Sequence, residues 1–167
     1  YEHFMQKLRC LGANVEKLVL MGVADLSGWG NAAAETFDGS SCSGHDRFYG
    51  GGGDDIYVLG AGDVAIETAG GGSDTVLADS DFTLVEFLEN ATAAGSQATT
   101  LTGSAENNRL DGSTSIAANT LVGLGGDDVY VVGSGDVVVE AESGGNDTVL
   151  AEISAVLSAQ VENLTLT

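Results

Sequence analysis

The chain has no proline, only two cysteines and one tryptophan, and only five basic side chains against 25 acidic ones, for a formal net charge of −20 over 167 residues. The shortage of Lys and Arg excludes nucleic acid and anionic lipid as partners, because a surface of this sign repels polyanions. No uninterrupted apolar run approaches the roughly 18 to 20 residues of a membrane span, so membrane insertion is not expected. Residues 1–20 carry Lys7, Arg9, Glu16 and Lys17 where a signal peptide would need an apolar stretch. Cys10 and Cys42 are too few to define a disulfide framework or a redox compartment. There is no Walker loop, no G-x-S-x-G elbow and no complete EF-hand loop. The chain is therefore not expected to be an enzyme, and catalytic residues are not assigned.

Glycine is abundant instead, with 25 residues, about twice the usual share of roughly 7 %. Leu, Ile, Val and Phe make up about a quarter of the chain, enough to build a core. An internal repeat organises both. Gly52-Gly53-Asp54-Asp55-Ile56-Tyr57-Val58 returns 73 residues later as Gly125-Gly126-Asp127-Asp128-Val129-Tyr130-Val131, and residues 51–77 match 124–150 at 17 of 27 positions without a gap. The offset extends outward, placing Leu11, Leu84 and Leu157 in one register. It divides the chain into a partial or capping element (1–21) and two full repeats (22–94 and 95–167), expected to form one continuous solenoid.

A shorter period runs inside the long one. Residues 50–58 fit the nonapeptide G-G-x-G-x-D-x-U-x at every specified place, with Asp55 sixth and Tyr57 as the large apolar residue. Residues 41–49 (Gly44, Asp46, Phe48) and 69–77 (Gly70, Gly72, Asp74, Val76) fit less fully, and Gly126, Asp128, Tyr130 and Gly145, Asp147, Val149 repeat the pattern. The stretch 59–67 is poorer, with Asp63 one place early. Glycines permit tight loops, and a closing Asp supplies a hard oxygen ligand beside backbone carbonyls. The three residues after it read as a short strand whose middle side chain, such as Phe48, Tyr57, Ile66 or Val76, points inward.

In these motifs the chain resembles the RTX family of secreted bacterial repeat proteins. The resemblance implies an all-β parallel β-roll or β-solenoid, two nonapeptides to a coil, with calcium between loops stacked on one edge. It pairs Asp55 with Asp74, Asp46 with Asp63, Asp128 with Asp147 and, more weakly, Asn119 with Asp136. Gly51, Gly53, Gly70, Gly72, Gly126 and Gly145 are the accompanying loop ligands. Four bound ions would bring the charge from −20 to about −12, so calcium is expected to switch folding on. The resemblance also implies type I secretion and an extracellular location. The role expected is a structural module of an adhesin, surface layer or filament; the alternative is the carrier segment of a secreted protease or lipase.

Other features read less sharply. Cys42 and His45 are spaced like half a zinc site, but Ser115 and Ala118 replace them one repeat later. Asp54 and Asp127 occupy an unspecified place, solvated or behind the ion. Ile56, Val58, Val129, Val131 and Val138 fall at outward places, a stripe that predicts self-association, lateral or end to end, unless a segment such as 84–102 covers it.

Overall fold

The computed structural model describes residues 9–152 and 158–166, in two compact units, residues 1–74 and 75–167. Residues 1–8, expected to begin a degenerate or capping element, and Leu157 lie outside the described residues. Among the described residues there are 17 strands and no helix, and the strands pair in parallel.

In the first unit the strands are β1 (Arg9–Cys10), β2 (Lys17–Val19), β3 (Ser27–Trp29), β4 (Thr36–Asp38), β5 (Arg47–Tyr49), β6 (Ile56–Leu59) and β7 (Val64–Ile66). The odd strands stack as β1-β3-β5-β7, and β2-β4-β6 stack in register opposite them. The chain thus changes sheet at each step, and two strands make one coil of an all-β parallel solenoid. The second unit continues the numbering with β8 (Thr75–Ala78), β9 (Phe82–Thr83), β10 (Asn90–Ala93), β11 (Thr100–Thr102), β12 (Arg109–Asp111), β13 (Thr120–Val122), β14 (Val129–Val132), β15 (Val137–Val139), β16 (Thr148–Ala151) and β17 (Asn163–Leu166). Here β9-β11-β13-β15 form one sheet, facing the series β8-β10-β12-β14-β16-β17.

Register explains the 73-residue period physically. Thr75 lies opposite Asn90, Asn90 opposite Arg109, Arg109 opposite Val129 and Val129 opposite Thr148, so four successive coils advance 15, 19, 20 and 19 residues. One coil in four is short. Residues 84–102, considered above as a cover, supply β10 and β11 and are coils themselves.

In three-residue strands such as β3, β4, β11 and β13 the middle residue is buried between two half-buried ones, and the middle residues stack through the coils. In the first unit Leu18, Phe37 and Tyr57 align; Phe37 stacks on Tyr57 at 5.2 Å and tilts against Phe48 at 5.6 Å. In the second, Ala91, Leu110 and Tyr130 align opposite Leu101 and Leu121, all fully buried. Large side chains on one sheet meet small ones such as Gly28, whose replacement by anything with a Cβ would strike Leu18.

Two expectations about direction need correction. Ala65, not Ile66, takes the inward place opposite Phe48. Val138, expected above to face outward, pairs with the inward Leu121, and it is Val137 and Val139 that face out. The reason is common to both: the inward residue lies two places after the acid that opens the strand, and Asp63 and Asp136 open β7 and β15 as Asp55 opens β6. Strand phase is counted from the acid, not from the glycines.

Candidate metal centre

Each strand of the β4/β6 series is preceded by an acid or amide, and these side chains form a ladder. The Glu35 amide donates to Asp55 Oδ1 (2.7 Å) and the Asp55 amide to Asp74 Oδ1 (2.8 Å). In the second unit the amides of Asn108, Asp128 and Asp147 donate in the same way to Asp128 Oδ1 (2.7 Å), Asp147 Oδ1 (2.8 Å) and Glu162 Oε2 (2.8 Å). One carboxylate oxygen is thereby committed to holding the preceding coil. The other is left over: Asp55 Oδ2, Asp128 Oδ2 and Asp147 Oδ2 are buried without a hydrogen-bond partner.

Around these oxygens two clusters form. Asp55, Glu67 and Asp74 each bring a carboxylate oxygen within 4.8 Å of the others, and Asp128, Glu140 and Asp147 do the same one long repeat later. Glu67 and Glu140 arrive from the opposite sheet, immediately after β7 and β15. The Tyr57 hydroxyl donates to Glu67 Oε1, while the Tyr130 hydroxyl and Glu140 Oε1 are both buried without a hydrogen-bond partner. Gly50 and Gly123 close the space: a Cβ on Gly50 would overlap Glu67 Oε1, the Tyr57 hydroxyl and Asp55 Oδ2 together, and one on Gly123 would overlap the corresponding atoms of Tyr130, Glu140 and Asp128.

The electrostatics are those of a cation site. Burial pushes Asp55 up to about 7, reinforced by Asp74, Glu35 and Glu67. Burial likewise raises Asp128 to about 6, with Asp147 and Asp127 adding to it, and Glu140 to about 7, with Asp147, Asp128 and Glu162 adding. Buried like charges at this spacing are unfavourable unless something positive joins them. The donor set is all hard oxygen, with no thiolate or imidazole, and it fits calcium.

The opposite edge repeats the ladder with a different ending. The Leu26 amide donates to Asp46 Oδ1 (2.8 Å) and the Asp46 amide to Asp63 Oδ1 (2.9 Å); the Thr99 and Asn119 amides donate to Asn119 Oδ1 (3.1 Å) and Asp136 Oδ1 (2.7 Å). Yet Asp63 Oδ2 accepts from the Gly60 amide (2.9 Å) and Asp136 Oδ2 from the Gly133 amide (2.7 Å). The Asn119 amide group is saturated too, donating to the carbonyls of Gly112 (3.2 Å) and Ala117 (3.0 Å) and to Asp136 Oδ1 (3.1 Å). The spare buried oxygen on this edge is Asp46 Oδ2.

The remaining sequence candidates fall in the loops. Gly51 and Gly53 have φ of 101° and 98°, and Gly126 of 99°, the left-handed conformations that favour glycine. Gly53 also packs so tightly against the Ala33 carbonyl that no side chain fits. The Gly72 and Gly145 backbones approach the carbonyls of Gly53 and Gly126 equally closely, whereas Gly70 stands clear. Asp54 and Asp127 lie outside the clusters, exposed, and accept from the amides of Ser73 (2.9 Å) and Asn146 (2.9 Å) in the next coil. Cys42 Sγ lies 3.7 Å from the Ala24 carbonyl and joins no ligand cluster among the described residues.

Sequence reasoning missed Glu67 and Glu140, and with them Gly50, Gly123 and the two tyrosine hydroxyls. A signal was present: Glu67 and Glu140 are identical across the 73-residue offset, although the nonapeptide specifies no acid at their place.

The family model of the RTX calcium-binding nonapeptide repeat matches in four copies, over residues 29–64 and 116–139. No curated protein and no solved structure gives a significant match. These two segments carry RTX calcium-binding nonapeptide repeats.

Proposed function

We propose that this chain is an extracellular structural module that folds around calcium after export, serving a cell-surface adhesin, a surface layer or a self-assembling filament. The observation that carries the reading is the pair of three-carboxylate clusters, in which Asp55 Oδ2, Asp128 Oδ2 and Asp147 Oδ2 are buried without a hydrogen-bond partner. Such acids serve better as ligands than as acid–base catalysts, since each aspartate spends one oxygen on the coil ladder. The ions are assigned to Asp55 with Asp74 and to Asp128 with Asp147. Asp46 with Asp63 and Asn119 with Asp136 follow as weaker positions, because backbone amides already hold the second oxygens of Asp63 and Asp136. Extracellular calcium modules commonly bind at roughly 0.1 to 1 mM, which leaves such a chain open inside a cell and folded outside it. Circular dichroism tests this. The chain is expected to be largely disordered in chelator and to gain β signal with calcium at about 1 mM but not with magnesium, which needs a smaller octahedral site. Equal β content in excess chelator would refute the reading.

Self-association belongs to the same proposal. The outward apolar residues are interrupted in register, Val58 beside Asp38 and Val131 beside Asp111, so a continuous stripe is replaced by local patches. One of them, Val131 with Leu150, lines a surface groove bordered by Arg109 and Glu152. A second copy of the chain is the proposed occupant. Val131→Lys together with Val58→Lys is expected to leave calcium-driven folding intact and to lower association in light scattering; a wild-type chain that stays monomeric at high concentration in calcium overturns it.

A further inference from the structure

We propose that Glu67 and Glu140 are direct ligands of the two ions and that the hydroxyls of Tyr57 and Tyr130 hold them in position. This rests on the calcium reading above and adds acids that the nine-residue pattern does not specify: the matched segments end at residues 64 and 139. The first support is geometric. Glu67 and Glu140 each place an oxygen in the same 4.8 Å cluster as two strand-opening aspartates, and the Tyr130 hydroxyl, fully buried, has no hydrogen-bond partner although Glu140 Oε1 and Asp128 Oδ2 crowd the same side of Gly123.

The second support is internal to the chain. The inward place on β6 and β14 holds Tyr57 and Tyr130, and the residue that ends the same coil's second strand is followed by Glu67 and Glu140. One coil earlier the inward residues are Phe37 and Leu110, which have no hydroxyl, and the corresponding positions after β5 and β13 are Gly50 and Gly123. Hydroxyl and carboxylate occur together and are missing together. A tyrosine chosen only for its bulk would not track the acid in this way. The Tyr57 phenol, donating to one oxygen of buried Glu67, fixes that side chain while leaving its second oxygen for an ion; Glu140 Oε2 is held by the Ala141 amide (3.0 Å) and Oε1 is the oxygen left over. The site therefore joins the start of one strand to the end of the strand on the facing sheet, so that binding would fasten both sheets of the coil.

The test uses the whole chain and two probes, calcium and terbium(III), a calcium-sized ion whose emission is excited by a phenol in close contact. Calcium midpoints are measured by circular dichroism for the wild type, Glu67→Gln/Glu140→Gln, Tyr57→Phe/Tyr130→Phe, and an exposed control, Glu86→Gln/Glu142→Gln, which removes equal charge. The glutamate pair is expected to raise the midpoint about tenfold or more, since charge count in the ligand set tunes calcium affinity. The tyrosine pair is expected to raise it severalfold while retaining the fold at saturating calcium, and to lose terbium emission on phenol excitation even though terbium still drives folding. The exposed control stays close to wild type. Glutamate variants that match the exposed control, or terbium emission indifferent to the tyrosine pair, overturn this inference alone; a wild type indifferent to both ions overturns it together with the calcium reading.

Discussion

Gly50→Ala with Gly123→Ala is expected to abolish calcium-driven folding up to about 10 mM, at least a tenfold rise over the roughly 0.1 to 1 mM typical of extracellular modules. Neither glycine has a left-handed φ, so alanine meets no backbone penalty there. What it meets is the site. The new methyl would overlap a tyrosine hydroxyl, a glutamate oxygen and an aspartate oxygen at once. Tyr57 and Tyr130 are fully enclosed, Asp55, Asp128 and Glu67 are buried and Glu140 is half-buried, so room for the methyl comes only from displacing atoms of the site. The carboxylates would have to part, and the ion would lose its ligands together. Gly70→Ala is the contrasting change: Gly70 has φ of 77°, and an added methyl group would find nothing within 4 Å. It should cost about 1 kcal/mol through backbone strain and move the calcium midpoint only slightly. Midpoints followed by circular dichroism separate the two, and a Gly50/Gly123 double variant with a wild-type midpoint would show that the clusters are not where the ions sit.

The coil is legible from sequence wherever one residue does one job. Asp55 followed two places later by Tyr57 announces a loop, a strand and an inward side chain, and Asp128 with Tyr130 repeats it. The poorer stretch 59–67 misleads when the period of nine is counted from the glycines, because the backbone hydrogen bond accepted by Asp63 Oδ1 sets where the strand begins. Ala65 is therefore inward and Ile66 is not. The metal centre is half legible for a related reason. A motif of nine residues can name the aspartates that recur at its own spacing, but Glu67 enters the cluster across the coil, from a strand on the other sheet. That juxtaposition depends on coil length, 17 residues between Arg47 and Val64 against 20 between Thr36 and Ile56, which no local pattern encodes. The nonapeptide counts Tyr57 as an apolar residue because its ring fills the core; its hydroxyl has a second role at the edge of that core.

Without calcium, the folded form is expected to be favoured by acid, and with calcium the dependence should reverse. Asp55 and Glu140 sit at about 7 and Asp128 at about 6 in the folded chain, above the ordinary values of 3.8 for Asp and 4.5 for Glu that apply once it unfolds. Between about pH 4 and pH 7 the folded state therefore binds more protons than the unfolded one, and stability falls as pH rises through that window. The groups responsible face one another: Asp74, Glu35 and Glu67 around Asp55, Asp147 and Asp127 around Asp128, and Asp147, Asp128 and Glu162 around Glu140. In chelator, lowering pH from about 8 to about 5 should thus raise the melting temperature or induce β signal, protons doing part of what the cation would do. In calcium the same protons compete for the ligand oxygens, so the calcium midpoint should rise as pH falls. General relief of the −20 charge acts in the same direction in chelator, and a triple variant, Asp55→Asn, Asp128→Asn and Glu140→Gln, separates the two contributions. If the clusters are responsible, the variant loses most of the pH dependence between pH 5 and pH 8 while keeping nearly all of its surface charge. A chelated wild type whose melting temperature climbs with pH over that range would have the opposite sign, and the buried carboxylates would then not be the groups that calcium relieves.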